Sequence, residues 1–186
     1  MQIALHRSDQ LRQRMAWALS QILVISPGSI DTSDQSEHFL TYYDIFVRNA
    51  FGNYRDVLRE VSYSPVMAEM LTFLRSQSTA YIWSKESNLE YADENFAREI
   101  MQLFSIGLFE LNDDGTEKLV GGVPQRTYSS FDVAEYARAW TGFDMQKRRG
   151  NVEEPSWHEN RIDPMQLRVE WRDHLPKVSQ QQTKVS

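Results

Sequence analysis

Residues 93–104 carry acidic, amide and basic side chains at helical spacing. With Phe96 at the centre of the apolar face, Asn95, Glu99 and Gln102 form a polar stripe along its border. A carboxylate that is half withdrawn from water can act as a general acid or base, or bind a metal ion through oxygen. The spacing therefore indicates Glu99 as a candidate catalytic or metal-binding residue.

A second predicted helix supplies a matching set, because Asp132 and Tyr136 lie four residues apart and share a face. If the two helices face each other, Glu99 and Asp132 are the predicted catalytic residues, with hydrolysis as the reaction. The predicted ligand-binding residues are Asn95 and Tyr136, which would orient the carboxylates, and Arg98, which would bind an anionic group.

The same residues also fit a purely structural interpretation. Glu94 and Arg98 are spaced as an i, i+4 ion pair, and Arg98 and Glu99 could tie helix ends together through buried hydrogen bonds. Acids in structural networks and acids in functional sites look alike in a sequence. Two alternatives stay open, namely a hydrolase-like or metal- or anion-binding site and a scaffold or protein-interaction domain, and whether the chain is an enzyme is undecided.

Other residue types exclude several chemistries. The chain has no cysteine, which excludes disulfides, thiol nucleophiles, iron–sulfur clusters and thiolate zinc sites. His6 and His38 stand alone in polar surroundings, and no histidine pair has the i, i+4 spacing of a zinc-binding helix. Gly-rich phosphate loops and Gly-x-Ser-x-Gly motifs are absent from the sequence. The cofactor is therefore unknown, and a divalent metal bound by carboxylates is the one cofactor that the acids suggest.

Residues 112–115 read Asn-Asp-Asp-Gly and resemble part of a calcium-binding loop. With Gly115 at the glycine position of such a loop, the closing acid would fall on Gly121, which has no carboxylate. We therefore predict a turn that hydrogen-bonds its own backbone.

Composition and charge limit the partners. The chain has 186 residues and a formal net charge of -6, without a basic face for nucleic acid, and residues 147–149 form only a short basic run. No apolar run approaches the roughly 18 residues of a membrane span, and the first residues lack the features of a secretory signal. We expect no nucleic-acid partner and no membrane span, and the localisation is unknown.

The elements that must position these residues are helices. We predict an all-α fold, an irregular bundle of about six helices with a short hairpin or ordered loop near 109–127. Residues 1–144 would form a partial helical domain and residues 145–186 an extended or disordered tail, while the polar segment 75–92 predicts a loop. Apolar periodicity places the six helices at about 9–25, 39–51, 54–61, 65–74, 93–107 and 129–142.

Helix ends can also be predicted. Asn53 and Ser64 are expected N-caps, Ser129 is expected to form a capping box with Asp132, and Gly52 is expected to be a left-handed C-cap. The aromatic side chains expected in the core are Trp17, Tyr42, Tyr43, Phe104 and Trp140.

The segment at 92–107, ADENFAREIMQLFSIG, resembles the signature PNENFARELMELFTLG of the domain of unknown function 1800 family. The chain departs from it at residues 92–93, where Ala-Asp replaces Pro-Asn, and at Gln102, where the signature has glutamate. Losing that second acid weakens any scheme that needs two acids one turn apart. Segments in family order extend the resemblance over about residues 9–145, at 14–17, 50–58, 64–67, 111–116, 128, 132–133 and 137–143.

The resemblance implies a mostly helical fold without an established activity, in proteins that are often exported. It also implies a family domain longer than this chain, with material before residue 1 and after residue 186. The chain would then be a fragment, and its partner would be the missing parts of its own domain or another protein chain.

Overall fold

The computed structural model describes residues 9–26, 36–147 and 160–177. In these residues the chain is mainly helical, as predicted, with two small two-stranded sheets in addition. None of the described helices is both long and apolar enough to cross a membrane. The helices are α1 (Gln10–Ser20), α2 (Ser36–Arg48), α3 (Tyr54–Ser62), α4 (Pro65–Met70), α5 (Thr79–Glu86), α6 (Asn95–Gln102) and α7 (Ser130–Ala139). The strands are β1 (Leu119–Val120), β2 (Val123–Pro124), β3 (Phe143–Asp144) and β4 (Gln166–Leu167), and a 3-10 helix spans Val169–Trp171.

The described residues fall into two compact units. Unit 1 comprises the described parts of Met1–Leu74 and Asp144–Gln166, and unit 2 those of Arg75–Phe143 and Leu167–Ser186. Each unit therefore contains residues from the predicted domain and from the predicted tail.

In unit 1, α1 lies on α2. The Arg12 guanidinium donates to the Val47 carbonyl at 2.9 Å, and Ala16 is buried in this contact. Two of the apolar residues that recur at helical spacing in α1, Leu11 and Met15, are exposed instead. The prediction of a core position for Trp17 is wrong, because its side chain is 60% exposed. The buried core of unit 1 instead includes Leu23, Tyr42, Ile45, Phe46, Val57, Val61, Val66, Met67 and Phe73.

Part of the predicted tail is ordered in unit 1. The Arg161 guanidinium forms a bidentate ion pair with Glu69, at 2.6 Å and 2.7 Å, and the Met165 amide donates to the Tyr63 carbonyl at 2.8 Å. These bonds link residues 160–166 to α4 and to the end of α3. The segment lacks periodicity because long-range contacts, rather than a helix of its own, determine its conformation.

Unit 2 contains α5, α6, α7 and the hairpin. The prediction of a loop over 75–92 is wrong for α5, whose N-cap Ser78 accepts a hydrogen bond from the Tyr81 amide and whose Ile82 is buried. The predicted hairpin near 109–127 is confirmed, because β1 and β2 pair antiparallel with Val120 opposite Val123.

The predicted caps can be compared with the helix ends. The Asn53 side chain accepts from the Arg55 amide at 2.9 Å, and Ser64 precedes α4 in an extended conformation. Gly52 does not adopt the left-handed conformation that was predicted for it. Gly142 does, with φ of 88°, and a Cβ atom there would lie 2.9 Å from the Arg168 carbonyl oxygen.

Candidate functional site

The predicted site residues lie on α6 and α7, which contact each other in unit 2. Phe96, Ala97 and Ile100 form the buried face of α6, and Phe96 meets the Trp140 ring edge-on at 4.7 Å between ring centroids. Ala97 also belongs to a buried cluster with Val133 of α7 and with other small or aromatic residues, namely Ala92, Tyr128 and Ala137. This packing holds the polar border of α6 in a defined orientation.

Glu99 lies at that border and is half-buried, as the helical spacing predicts. Its Oε2 atom is shielded from solvent and has no hydrogen-bond partner among the described residues. The predicted structural role, in which Glu99 ties helix ends together through a buried hydrogen bond, is therefore not seen at this atom. A shielded carboxylate oxygen without a donor is unfavourable, since buried polar atoms are normally hydrogen-bonded.

Arg98 points its charge to the outer side of α6. Its guanidinium contacts the Glu94 carboxylate at 2.8 Å, which confirms the predicted i, i+4 pair. Both side chains are more than two-fifths exposed, so the pair contributes at most about 0.5 kcal/mol. Arg98 remains accessible to an anion at little cost in stability.

Asp132 forms the predicted capping box at the start of α7. Its Oδ2 atom accepts from the Ser129 amide at 2.9 Å and from the Ser129 hydroxyl at 2.7 Å, while the Asp132 amide donates to Ser129 Oγ. This box accounts for the position of Asp132 without a ligand. Its predicted role as the partner acid of Glu99 stays a prediction.

The two predicted orienting residues have local partners. The backbone N–H of Asn95 donates to Asp93 Oδ1 at 2.9 Å. The Tyr136 ring lies perpendicular to Trp140 at 6.1 Å between centroids. Burial raises the pKa of the Tyr136 hydroxyl. Tyr136 therefore stays protonated at neutral pH.

The described part of the chain contains no group of three or more His, Asp or Glu residues that could hold a metal ion.

The predicted turn at 112–115 is confirmed. Asp114 Oδ1 accepts from the Thr116 amide at 3.0 Å and from its hydroxyl at 2.6 Å. His158 and most of the basic run at 147–149 lie outside the described residues.

Sequence reasoning missed an ion-pair network at the end of α7. Arg138 contacts Asp173 through Nε to Oδ2 at 2.8 Å and through Nη2 to Oδ1 at 3.1 Å, and it also binds Glu135. Hydrogen bonds from Arg138 lower the pKa of Asp173 to about 2. The Asp173 amide donates to Thr141 Oγ1 at 2.9 Å. The spacing of Glu135 and Arg138 is visible in the sequence, but Asp173 lies in the predicted tail.

The fold and this site together describe the chain as a mainly helical domain with a half-buried carboxylate at the border of one helix. The family described as protein of unknown function (DUF1800) matches residues 1–176, and the chain belongs to this family. The match includes the predicted span of 9–145 and continues through the segment after residue 145. No curated protein and no solved structure matches the chain significantly.

Proposed function

We propose that the chain is a helical ligand-binding domain in which Glu99 binds a cationic or hydrogen-bond-donating group. The observation that carries the proposal is the shielded Oε2 atom, which lacks a hydrogen-bond partner among the described residues. A buried acceptor without a donor costs about 1 to 3 kcal/mol, and a charged one costs more. A metal ion or a ligand donor at this oxygen would recover that free energy.

Neighbouring residues would complete the site. Asn95 lies one turn before Glu99 on the same border of α6 and would orient the ligand. Arg98, on the outer side, would bind an anionic part of the same ligand by exchanging its exposed ion pair with Glu94. Asp132 and Tyr136 on α7 would supply the second acid and a neutral hydroxyl if the bound ligand is hydrolysed.

A scaffold or protein-interaction domain is the second candidate. It is favoured by the Arg138–Asp173 network, which fixes the end of α7 without any ligand. It is also favoured by the exposed apolar residues Leu11, Met15 and Ile22 on one side of the first helical segment, which another protein chain could cover.

The experiment compares Glu99→Gln with the wild-type chain by thermal unfolding, with and without Mn²⁺ or methylguanidinium. Glu90→Gln is the matched control, since it removes the same charge from an exposed position of unit 2. Without a ligand, we expect Glu99→Gln to melt at the wild-type temperature or above it, because no ion pair is lost. One of the two cations should raise the melting temperature of the wild type and of Glu90→Gln, and this rise should vanish in Glu99→Gln.

Two results would count against the proposal. If neither cation shifts the wild-type melting temperature, or if Glu99→Gln responds as the wild type does, Glu99 is not the cation-binding residue. A lower melting temperature for Glu99→Gln with an unchanged cation response would favour the scaffold candidate.

A further inference from the structure

A second site lies in unit 1, separate in sequence from Glu99 and its neighbours. It is a pocket of about 350 Å³, within the range of roughly 300 to 1,000 Å³ that is typical of small-molecule sites. Residues of α2, the junction between α3 and α4, and the segment 160–166 form its walls. Most of the lining surface is apolar, and the apolar and aromatic residues that contribute to it are Tyr42, Ile45, Tyr63, Pro65, Ile162 and Pro164.

One wall of the pocket carries buried polar groups. His38, which the sequence places in polar surroundings, is only 1% exposed. Burial is the main cause that lowers its pKa, and the effects of Arg161, which lowers it, and Glu69, which raises it, oppose each other, so the imidazole is neutral at neutral pH. Arg161 is itself largely buried, and its bidentate ion pair with Glu69 balances its charge. This wall is therefore polar but carries no net charge.

The two arginines at the rim of the pocket, unlike Arg161, are exposed to solvent. The side chains of Arg48 and Arg59 are 56% and 67% exposed, and Arg48 forms a short ion pair with Glu60 at 2.6 Å. Arg59 lies 3.4 Å from Asp56, which is a long contact between exposed groups and contributes little. The lining contains three arginines and one acid, Glu60, while the acids that pair with Arg161 and Arg59, namely Glu69 and Asp56, lie outside it. The surface that faces the pocket therefore carries more positive than negative side chains.

We infer that this pocket binds a small organic anion, whose apolar or aromatic body lies between the walls and whose carboxylate lies at Arg48 and Arg59. The apolar lining supplies binding free energy but little selectivity, since any apolar body of suitable size would fit. The guanidinium groups supply the selectivity, because they form charge-assisted hydrogen bonds with a carboxylate and repel an amine.

The test uses three probes that share one apolar body, namely phenylpropionate, phenylpropanol and phenylpropylamine, titrated into the full chain by calorimetry. We expect phenylpropionate to bind about fivefold more tightly than phenylpropanol, which is the size of effect that an exposed ion pair supplies. Phenylpropylamine should bind most weakly. A wild-type chain that binds none of the three, or that binds them equally, would overturn the inference.

Substitutions at the rim test whether Arg48 and Arg59 cause the preference for phenylpropionate. Arg48→Gln combined with Arg59→Gln should bring the affinity for phenylpropionate down to that for phenylpropanol, and both positions are exposed enough to leave the fold intact. Arg55→Gln is the matched control, an exposed arginine on α3 outside the pocket lining, and should keep the preference. If the double variant keeps the preference for the acid, the rim arginines do not bind the carboxylate.

A bulky substitution at Thr41, which lines the pocket from α2, tests separately whether the apolar body of the probes lies in the pocket. Thr41→Trp should fill part of the pocket and weaken all three probes at least tenfold. Asp44→Trp places the same side chain on the same helix at an exposed position outside the lining and should bind like the wild type. Equal binding by the two variants would mean that the probes bind elsewhere.

Discussion

Replacing Asp173 with asparagine should destabilise the chain through the loss of one charge. The carboxylate accepts from Arg138 at 2.8 Å and 3.1 Å and from the Leu175 amide at 2.8 Å, so the native state strongly favours its ionised form. Asparagine has almost the same shape and can keep one acceptor oxygen. The substitution therefore measures the charge more than the packing.

The pKa of Asp173 gives the magnitude. Its decrease from 3.8 to about 2 corresponds to about 2.4 kcal/mol, at about 1.36 kcal/mol per pKa unit. The side chains of Arg138 and Asp173 are 23% and 12% exposed, so solvent screens part of the interaction. After this screening, we expect Asp173→Asn to lower the free energy of unfolding by about 1 to 2 kcal/mol at pH 7.

Urea unfolding monitored by tryptophan fluorescence provides the assay, at a series of pH values from 7 down to 2. A carboxylate whose folded-state pKa is depressed stabilises the fold above its unfolded-state pKa, and this contribution is lost as the pH falls through the folded-state value. The difference between the wild type and Asp173→Asn should therefore be constant from pH 7 to about 5. It should then shrink as the pH falls from about 4 towards 2.

The control is Asp113→Asn, an exposed acid in the turn at 112–115 of the same unit, which should change stability by less than about 0.5 kcal/mol. A difference for Asp173→Asn that stays the same from pH 7 to pH 2 would refute the electrostatic reasoning. Equal stability of the variant and the wild type at pH 7 would refute the structural role of the network.

Two other substitutions test local features of unit 2. Asp132→Ala should lower the free energy of unfolding by about 0.5 to 2 kcal/mol through the loss of the capping box, and Asp132→Asn should cost less; equal costs in thermal unfolding would contradict the capping role. Gly142→Ala should be more destabilising than Gly121→Ala by at least about 1 kcal/mol, because both glycines have positive φ but only Gly142 lies close to a neighbouring carbonyl. Similar urea midpoints for the two glycine variants would show that the close approach has no energetic effect.

Features that depend on neighbours in the chain could be predicted from the sequence. The Asn53 cap, the Ser129–Asp132 capping box, the 109–127 hairpin and the turn at Asp114 each involve residues a few positions apart. Their energetics follow from local side-chain and backbone geometry, which the residue types express directly. The polar border of α6 could be predicted for the same reason, since helical periodicity alone places Glu99 beside the buried face.

Features that depend on distant residues could not be predicted in this way. Helical spacing shows that α1 has apolar residues, but not which side contacts α2, so Trp17 was misassigned to the core. The polar stretch around α5 gives little apolar periodicity, because that helix has one buried residue, Ile82. In both cases the contacts made by a neighbouring element decide the outcome.

The sequence by itself determined the family, the mainly helical fold, most helix starts and the position of Glu99 at a helix border. Tertiary structure decided which polar groups are paired. Arg138 meets Asp173 across 35 positions of the chain, and Arg161 meets Glu69 across 92. Ion pairs of this kind leave no periodic pattern, because their geometry arises only when the intervening helices fold. For the same reason, the burial of His38 and the pocket beside it emerge only in the folded unit, where residues 160–166 reach α4.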